Sequence, residues 1–434
     1  MRVAHDDVMP TPSADSPSVP ASPWTPAFTR FFLAQCLSWL GSSMTPVALS
    51  FGVLRATGST TDLGLVLAAN TIPMVALLLV GGVVADRVPR RALLTFAHLV
   101  AGLAQASSAM WFLLNAQTLP LLLVAAALNG LASAFTAPAL RGIIADLVPH
   151  DAIGRANAVR TTSRNLTRML GPAAAGLLVA VANAGWALAI DAAFLLLASA
   201  VLATIPNADT ARPSTHASAR RDGLPVGATL RTFMTDLKGG WHEFTRHRWL
   251  WLVTFAFTGM NVLIGGIWLV LGPASAEETI GAAGWGLLLA ARAAGQVGGG
   301  ALAYHFSPRR PMVAVLLMPM PYAALFAALA AGSDLPLLLV LATLAGIGSA
   351  VESVLWETAL QQRVAREALS RVASIDMLLS FVSVPAGQLL APMAAALLGV
   401  PITLAIGAGL CVTALLMPLI SAEVRGLRRP PTAV

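Results

Sequence analysis

The sequence predicts an all-α polytopic membrane protein: twelve transmembrane helices arranged as two parallel six-helix pseudo-repeats. Three observations predict it. Of 434 residues, 57% are apolar and 11% charged, with a mean hydropathy of +0.75. Soluble domains carry about 25% charged residues, so this chain has too little polar surface to face water. The apolar residues gather in runs of about twenty, the length that crosses a hydrocarbon core of roughly 30 Å. The chain also repeats itself. Residues 148–156 realign on 364–372, with identity at Val148/Val364, Ala152/Ala368 and Arg155/Arg371, and Gly82…Pro89-Arg90-Arg91 realigns on Gly300…Pro308-Arg309-Arg310. Both shifts are close to half the chain and span an even number of crossings. The two copies therefore enter the membrane in the same sense, as in the parallel-repeat class of secondary transporters.

In chain order, residues 1–27 are rich in Pro, Ser, Ala and Asp and lack a long apolar core. They read as a disordered cytoplasmic tail, not a secretory leader. An amino-terminal half, 28–205, holds spans at 28–54, 62–84, 92–115, 118–141, 157–182 and 186–205. Residues 206–248 read as a cytoplasmic linker, flexible over 207–223 by composition. Phe233, Leu237, Trp241 and Phe244 then recur on one helical face, with Lys238, Arg246 and Arg248 beside them. That pattern predicts a short helix lying on the inner leaflet, although Gly239 and Gly240 interrupt it. A carboxy-terminal half, 249–421, holds spans at 249–271, 285–304, 312–332, 336–360, 372–396 and 401–421, and 422–434 form a cytoplasmic tail.

Charge sets the orientation. The net charge of +7 comes from twenty-six arginines and the single Lys238. With both termini inside, nearly all of them fall on cytoplasmic segments, while Asp62, Glu277, Glu278 and Asp334 fall outside; Arg55 alone is an outer arginine. Charge scattered between apolar runs is unlike the single basic face that nucleic acid requires. A phosphate loop needs Gly-Lys, and Lys238 follows Leu237, so an ATP-driven pump is disfavoured. Of seven histidines only His98 falls within a span, with no acid in helical reach, which disfavours an enzyme. Cys36 and Cys411 lie in apolar runs and offer neither a disulfide framework nor a metal cluster. No cofactor or metal is expected.

Gly82-Val83-Val84-Ala85-Asp86-Arg87-Val88-Pro89-Arg90-Arg91 occupies the turn after span two. Gly82 permits close helix packing. Asp86 can accept from the open amides at the start of span eleven, where the helix dipole favours an anion. Arg87, Arg90 and Arg91 can brace it or bind lipid headgroups. This segment resembles the G-x-x-x-D-R-x-G-R-R loop of the major facilitator superfamily, with Pro89 in place of the second glycine. In such a fold Arg141 and Asp376 belong to the same inner lock. Gly171-Pro172-Ala173-Ala174-Ala175-Gly176 in span five resembles the G-P-x-x-x-G element of the superfamily's drug antiporters. The segments 138–144, 155–158, 285–287, 356–362 and 370–376 resemble the branch of macrolide-efflux proteins and the enterobactin exporter. The resemblance covers residues 28–429. It implies a proton-coupled exporter of a lipophilic drug, antibiotic or siderophore-like molecule, monomeric and in contact with membrane lipids. A nutrient importer, or a non-transporting sensor on the same scaffold, is the alternative.

The resemblance places spans one, four, seven and ten around the cavity. This nominates Gln35, Ser38 and Trp39, then Asn129, Ser133 and Phe135, then Asn261 and Trp268, and finally Glu352 and Trp356. Glu352 is the deepest acid, about 24 Å in from the outer end at 1.5 Å per residue, where an ionised carboxylate is expensive; it is the candidate for proton coupling. Arg292 needs a partner or a watery cavity for the same reason, and no acid lies at its depth. Arg160, Arg164 and Arg168 share one face of span five, either snorkelling or forming a basic wall at the inner mouth. Asp191 reads as interfacial, and Asp62 as a helix cap.

Overall fold

The computed structural model describes residues 22–116, 118–205, 241 and 244–428, with the side chains at 78–87, 137–138, 141–142, 145–146, 150, 366–367 and 370 outside the description. Long helices account for nearly all of it: α1 (Pro26–Thr57), α2 (Thr60–Arg87), α3 (Arg90–Leu113), α4 (Leu119–Leu147), α5 (Ile153–Val181), α6 (Ala184–Ala203), α7 (Arg248–Thr279), α8 (Gly281–His305), α9 (Pro311–Ala330), α10 (Leu335–Arg363), α11 (Arg366–Leu398) and α12 (Val400–Leu416). Ten of these are long and apolar enough to cross a membrane among the described residues. The remaining two are α5 and α8. The first half of α5 is polar and carries Arg155, Arg160 and Arg164, and α8 is diluted by glycine and Arg292.

Local chemistry sets the helix ends. Thr25 caps α1, accepting from the Phe28 amide at 3.0 Å while its hydroxyl donates to the Leu147 carbonyl. Gly58 ends α1 at φ +65°, a left-handed turn suited to glycine. Ser59, rather than the expected Asp62, accepts at the start of α2, from the Asp62 amide at 3.1 Å; Asp62 supplies charge to the first turn. Most helices overrun the expected spans. α4 continues to Leu147, α7 to Thr279 and α11 begins at Arg366, because hydrogen bonding continues where apolar composition stops. α7 also loosens into a π-helical stretch over Ile264–Leu271, and α9 is broken between Leu317 and Pro321.

The packing has a plain order. In the first group α3 packs on α4 and α6, α2 on α4, and α1 on α5 and α6; in the second α9 packs on α10 and α12, α8 on α10, and α7 on α11 and α12. Between groups, α5 meets α8 and α2 meets α11. The two described ends of the chain lie at one end of the bundle, the near end. There Arg30 donates to Thr204 O, Arg91 to Ala203 O, and Arg363 to Arg428 O. At the far end Arg55 of α1 forms a bidentate pair with Glu277 of α7.

The core is divided unevenly between these ends. The largest buried cluster joins both groups, taking Phe51, Leu63 and Phe112 together with Trp268, Trp285 and Phe326. Two smaller clusters stay within single groups: Phe28, Phe31, Leu94 and Ile143 in the first, and Phe244, Leu250, Trp356 and Val372 in the second. Apolar packing is therefore continuous across the groups toward the far end and separate at the near end. Phe244 belongs to this protein core and is fully buried, so it does not supply the lipid face expected of it. Phe233, Leu237 and Lys238 of that predicted helix lie outside the described residues.

Candidate functional site

A cavity of about 300 Å³ opens among α7–α11, lined by Phe257, Met260 and Asn261, by Arg292 and Gln296, by Pro319 and Tyr322, by Ser349, Glu352 and Trp356, and by Asp376 and Ser380. Small residues fix its walls. A side chain at Gly346 would run into the backbone carbonyl of Arg292, and one at Gly295 into that of Thr343. α8 and α10 therefore lie backbone to backbone, which sets Arg292 and Glu352 at fixed positions on adjacent walls. Gly348 receives the Met318 carbonyl at the break in α9 in the same way, and that break delivers Tyr322.

Arg292 donates from Nη1 to the Tyr322 hydroxyl at 2.8 Å, and its guanidinium lies 5.5 Å from the centre of the Trp268 ring. Its Nε is buried without a partner. The missing acid is thus replaced by a phenol and an aromatic face, a cation–π contact that desolvation strengthens. Trp268, nominated to line the cavity, instead lies beneath Arg292, 2% exposed and tilted against Trp285 with ring centres 4.7 Å apart. The π-helical stretch of α7 carries it, held in place where Gly265 and Gly266 meet the backbone of α11. Tyr322 escaped the sequence reading. The available signal was that the chain has only two tyrosines.

Glu352 and Asp376 share the cavity. Asp376 accepts from the Thr254 hydroxyl at 3.0 Å and from the Trp356 indole at 3.2 Å, so in this structure it is held among α7, α10 and α11. The side chains of Asp86 and Arg141, its expected partners in the lock, lie outside the described residues. Asn261 lines the cavity with its amide nitrogen turned back to Phe257 O at 2.9 Å.

The other nominations divide. Gln35, Ser38, Trp39, Asn129, Ser133 and Phe135 do not line this cavity. Gln35 is 1% exposed, Ser38 meets the His98 ring at 3.2 Å, and Phe135 packs on the near-end core. Ser133 donates to Asn129 O at 3.0 Å. Trp39 is half-buried on α1. The side chains of Gly82, Asp86, Arg87 and Arg141 lie outside the described residues. Arg90 begins α3, and Arg91 ties it to the end of α6.

The Gly171-Pro172-…-Gly176 element packs helices together. Gly171 is filled by Ser43 of α1, Gly176 by the Ala282 carbonyl of α8, and Gly286 of α8 by the Pro172 carbonyl. Toward the near end of the same helix, Arg160 reaches Leu140 O at 3.5 Å, while Arg164 has a buried Nε without a partner. Arg168 is exposed and lies within electrostatic reach of both Arg164 and Arg292, so one basic side chain of α5 shares a field with the cavity arginine. Asp191, expected at the interface, is instead 1% exposed inside the first group, since α6 is packed by α1 and α3 along that face.

A model of the Major Facilitator Superfamily matches residues 31–317. Among curated relatives, the chain is 26% identical over 429 residues to the enterobactin exporter EntS of Citrobacter koseri, covering 94% of each. It is 26% identical over 424 residues to the EntS of Shigella flexneri, covering 94% of this chain and 95% of the relative. Among solved structures it is similar to the nucleoside transporter NupG, with a TM-score of 0.71 at 12% identity over 91% of this chain and 99% of that one. It is also similar to a bacterial homologue of the human lysosomal transporter Spinster in an inward-facing, unoccupied conformation, with a TM-score of 0.68 at 14% identity over 94% and 98%. At these identities the two structures speak for the fold alone.

Proposed function

The chain belongs to the major facilitator superfamily, and on that premise we propose that it is a proton-coupled exporter of a lipophilic drug, antibiotic or siderophore-like molecule, working by alternating access. The observation that carries this reading is the uneven division of the core. The groups are welded at the far end and separate at the near end, and a carboxylate-bearing cavity is lined by α7–α11 of the second group. With both termini cytoplasmic, as the arginine bias favours, this arrangement is an inward-facing state able to load from the cytoplasm. We read all twelve helices as spans of the plasma membrane. α5 and α8 are shielded by each other, which supports counting them despite their weaker hydropathy. The packing pairs of the first group recur in the second six helices later, which supports two parallel repeats, 28–205 and 249–421, joined by the 206–248 linker. The chain acts as a monomer, with protons and lipids as its other partners.

Export is supported by relatives whose names describe enterobactin exporters. Cells with and without the protein, loaded with a panel of antibiotics and catechol siderophores, test it. At least one compound should accumulate less when the protein is present, and collapse of the proton gradient should erase the difference. Proton-driven accumulation into the cells would replace export by import.

Asp86 is proposed to close the inner gate against the start of α11. Asp86→Asn keeps its size and removes the anion, so transport should fall sharply at nearly normal membrane abundance. Unchanged transport at equal abundance removes Asp86 from the gate.

A further inference from the structure

Inside α1–α6 lies a chain of polar side chains that the cavity reading does not use. The Thr45 hydroxyl donates to Asp191 Oδ2 at 2.6 Å. Gln105 Nε2 donates to Thr45 Oγ1 at 2.9 Å, Asn129 Nδ2 to Gln105 Oε1 at 3.3 Å, and Asn70 Nδ2 to Asn129 Oδ1 at 3.4 Å. One line of hydrogen bonds thus runs through α2, α4, α3 and α1 and ends on α6, with every donor pointing toward the carboxyl of Asp191. That carboxyl is 1% exposed, and its second oxygen, Oδ1, is buried with no partner. The site is built for it, because any side chain at Gly41 would collide with Oδ1 and with the Asp191 backbone.

No cation balances it among the described residues. On α1, Arg30 and Arg55 are committed at opposite ends, to Thr204 O and to Glu277, and Cys36 lies beside Ser163 of α5. On α3, Arg90 and Arg91 lie at the near end, and the His98 ring is held by Leu94 O and Ser38. On α5, Arg160 turns to Leu140 O, and Arg164 and Arg168 share a field with each other. The groups acting on Asp191 are Thr45 and Gln105. An ionised carboxylate buried without a counter-charge is strongly disfavoured. A proton on Oδ1 removes that cost and leaves the Thr45 bond to Oδ2 in place.

We propose that Asp191 is a proton-binding site of the amino-terminal helices, separate from the cavity carboxylates and wired through Thr45 and Gln105 to Asn129 on α4. Taking up the proton weakens the pull of the carboxylate on the whole donor line. Movement of α4 against α3 therefore changes proton affinity at Asp191, and protonation in turn loosens Asn129. The proposal does not depend on which substrate is carried, nor on Glu352.

Infrared difference spectroscopy of the purified full-length protein in detergent tests it, with the proton itself as the probe. Stepping from alkaline to acid pH should produce carboxylic-acid C=O bands. Asp191→Asn should lose one of them and Glu352→Gln should not lose the same one. Thr45→Val should keep the Asp191 band and shift its frequency and midpoint, because a direct hydrogen bond has gone. Asp191→Asn giving the parent's bands unchanged overturns the proposal. If that variant yields no folded protein, Thr45→Val decides: a shifted band supports the site, and bands unmoved from the parent overturn it.

Discussion

Gly286→Leu is expected to abolish transport while the protein still reaches the membrane, whereas Gly298→Ala on the same helix should leave transport intact. At Gly286 a Cβ would drive into the Pro172 carbonyl and lie 3.2 Å from the Gly176 Cα. These are backbone atoms of α5, which cannot turn aside as a side chain would. Overpacking of this kind costs about 1–3 kcal/mol where neighbours can adjust, and the upper end applies here. The strain falls only on the state in which α5 and α8 are closed, so it acts as a bias between conformations. About 3 kcal/mol shifts such an equilibrium by roughly 100-fold. A carrier must visit both states in every cycle, and one pushed that far from closing its far end stalls. A methyl at Gly298 meets nothing within 4 Å, and alanine gains up to about 1 kcal/mol over glycine in a helix interior. Proteoliposome flux together with thermal stability of the two purified variants checks the pair. Gly286→Leu transporting at the parent rate would mean that the α5–α8 contact does not close during the cycle.

Much of the architecture was legible because lipid imposes it. Apolar runs of spanning length in helices follow from one physical requirement, that a backbone crossing hydrocarbon satisfy its own hydrogen bonds. α5 and α8 show where that signal fades. They hide their polar and small residues against each other, so their composition reflects a protein neighbour rather than lipid. The cavity was legible only in its costliest members. Glu352 and Arg292 stood out because charge in a span demands explanation. Tyr322 and Thr254 did not, because a hydroxyl gives no such signal and becomes significant only when a break in α9 or the packing of α7 brings it to a charge. Asp191 was misplaced by counting residues from a span end. Depth along a helix does not say which way a side chain faces, and α6 turns this one inward against Gly41. Gln35 and Phe135 are likewise turned into protein.

Glu352→Gln is expected to abolish uphill export while leaving substrate exchange measurable. Two carboxylates share the cavity, and they are not equivalent. Asp376 has both oxygens engaged, by the Thr254 hydroxyl and the Trp356 indole, donors that hold it as a fixed acceptor. Glu352 stands on the adjacent wall within the field of Asp376, and two like charges in one poorly solvated space cannot both be kept cheaply. On the proposed reading, Glu352 is the one that takes up and releases the proton as the cavity changes its exposure. Arg292 stays with Tyr322 and Trp268, so no salt bridge fixes Glu352 in its charged form. Glutamine preserves its shape and cannot exchange a proton. In proteoliposomes with an imposed proton gradient, the Gln variant should bring its substrate only to equal concentration on the two sides, where the parent concentrates it. Its exchange of labelled for unlabelled substrate should continue and lose the pH dependence of the parent. Asp376→Asn should lower both activities together, because it loosens the wall formed by Thr254 and Trp356. If the Glu352→Gln variant still concentrates substrate as the parent does, the coupling proton travels by another residue, and Asp191 is the first to examine.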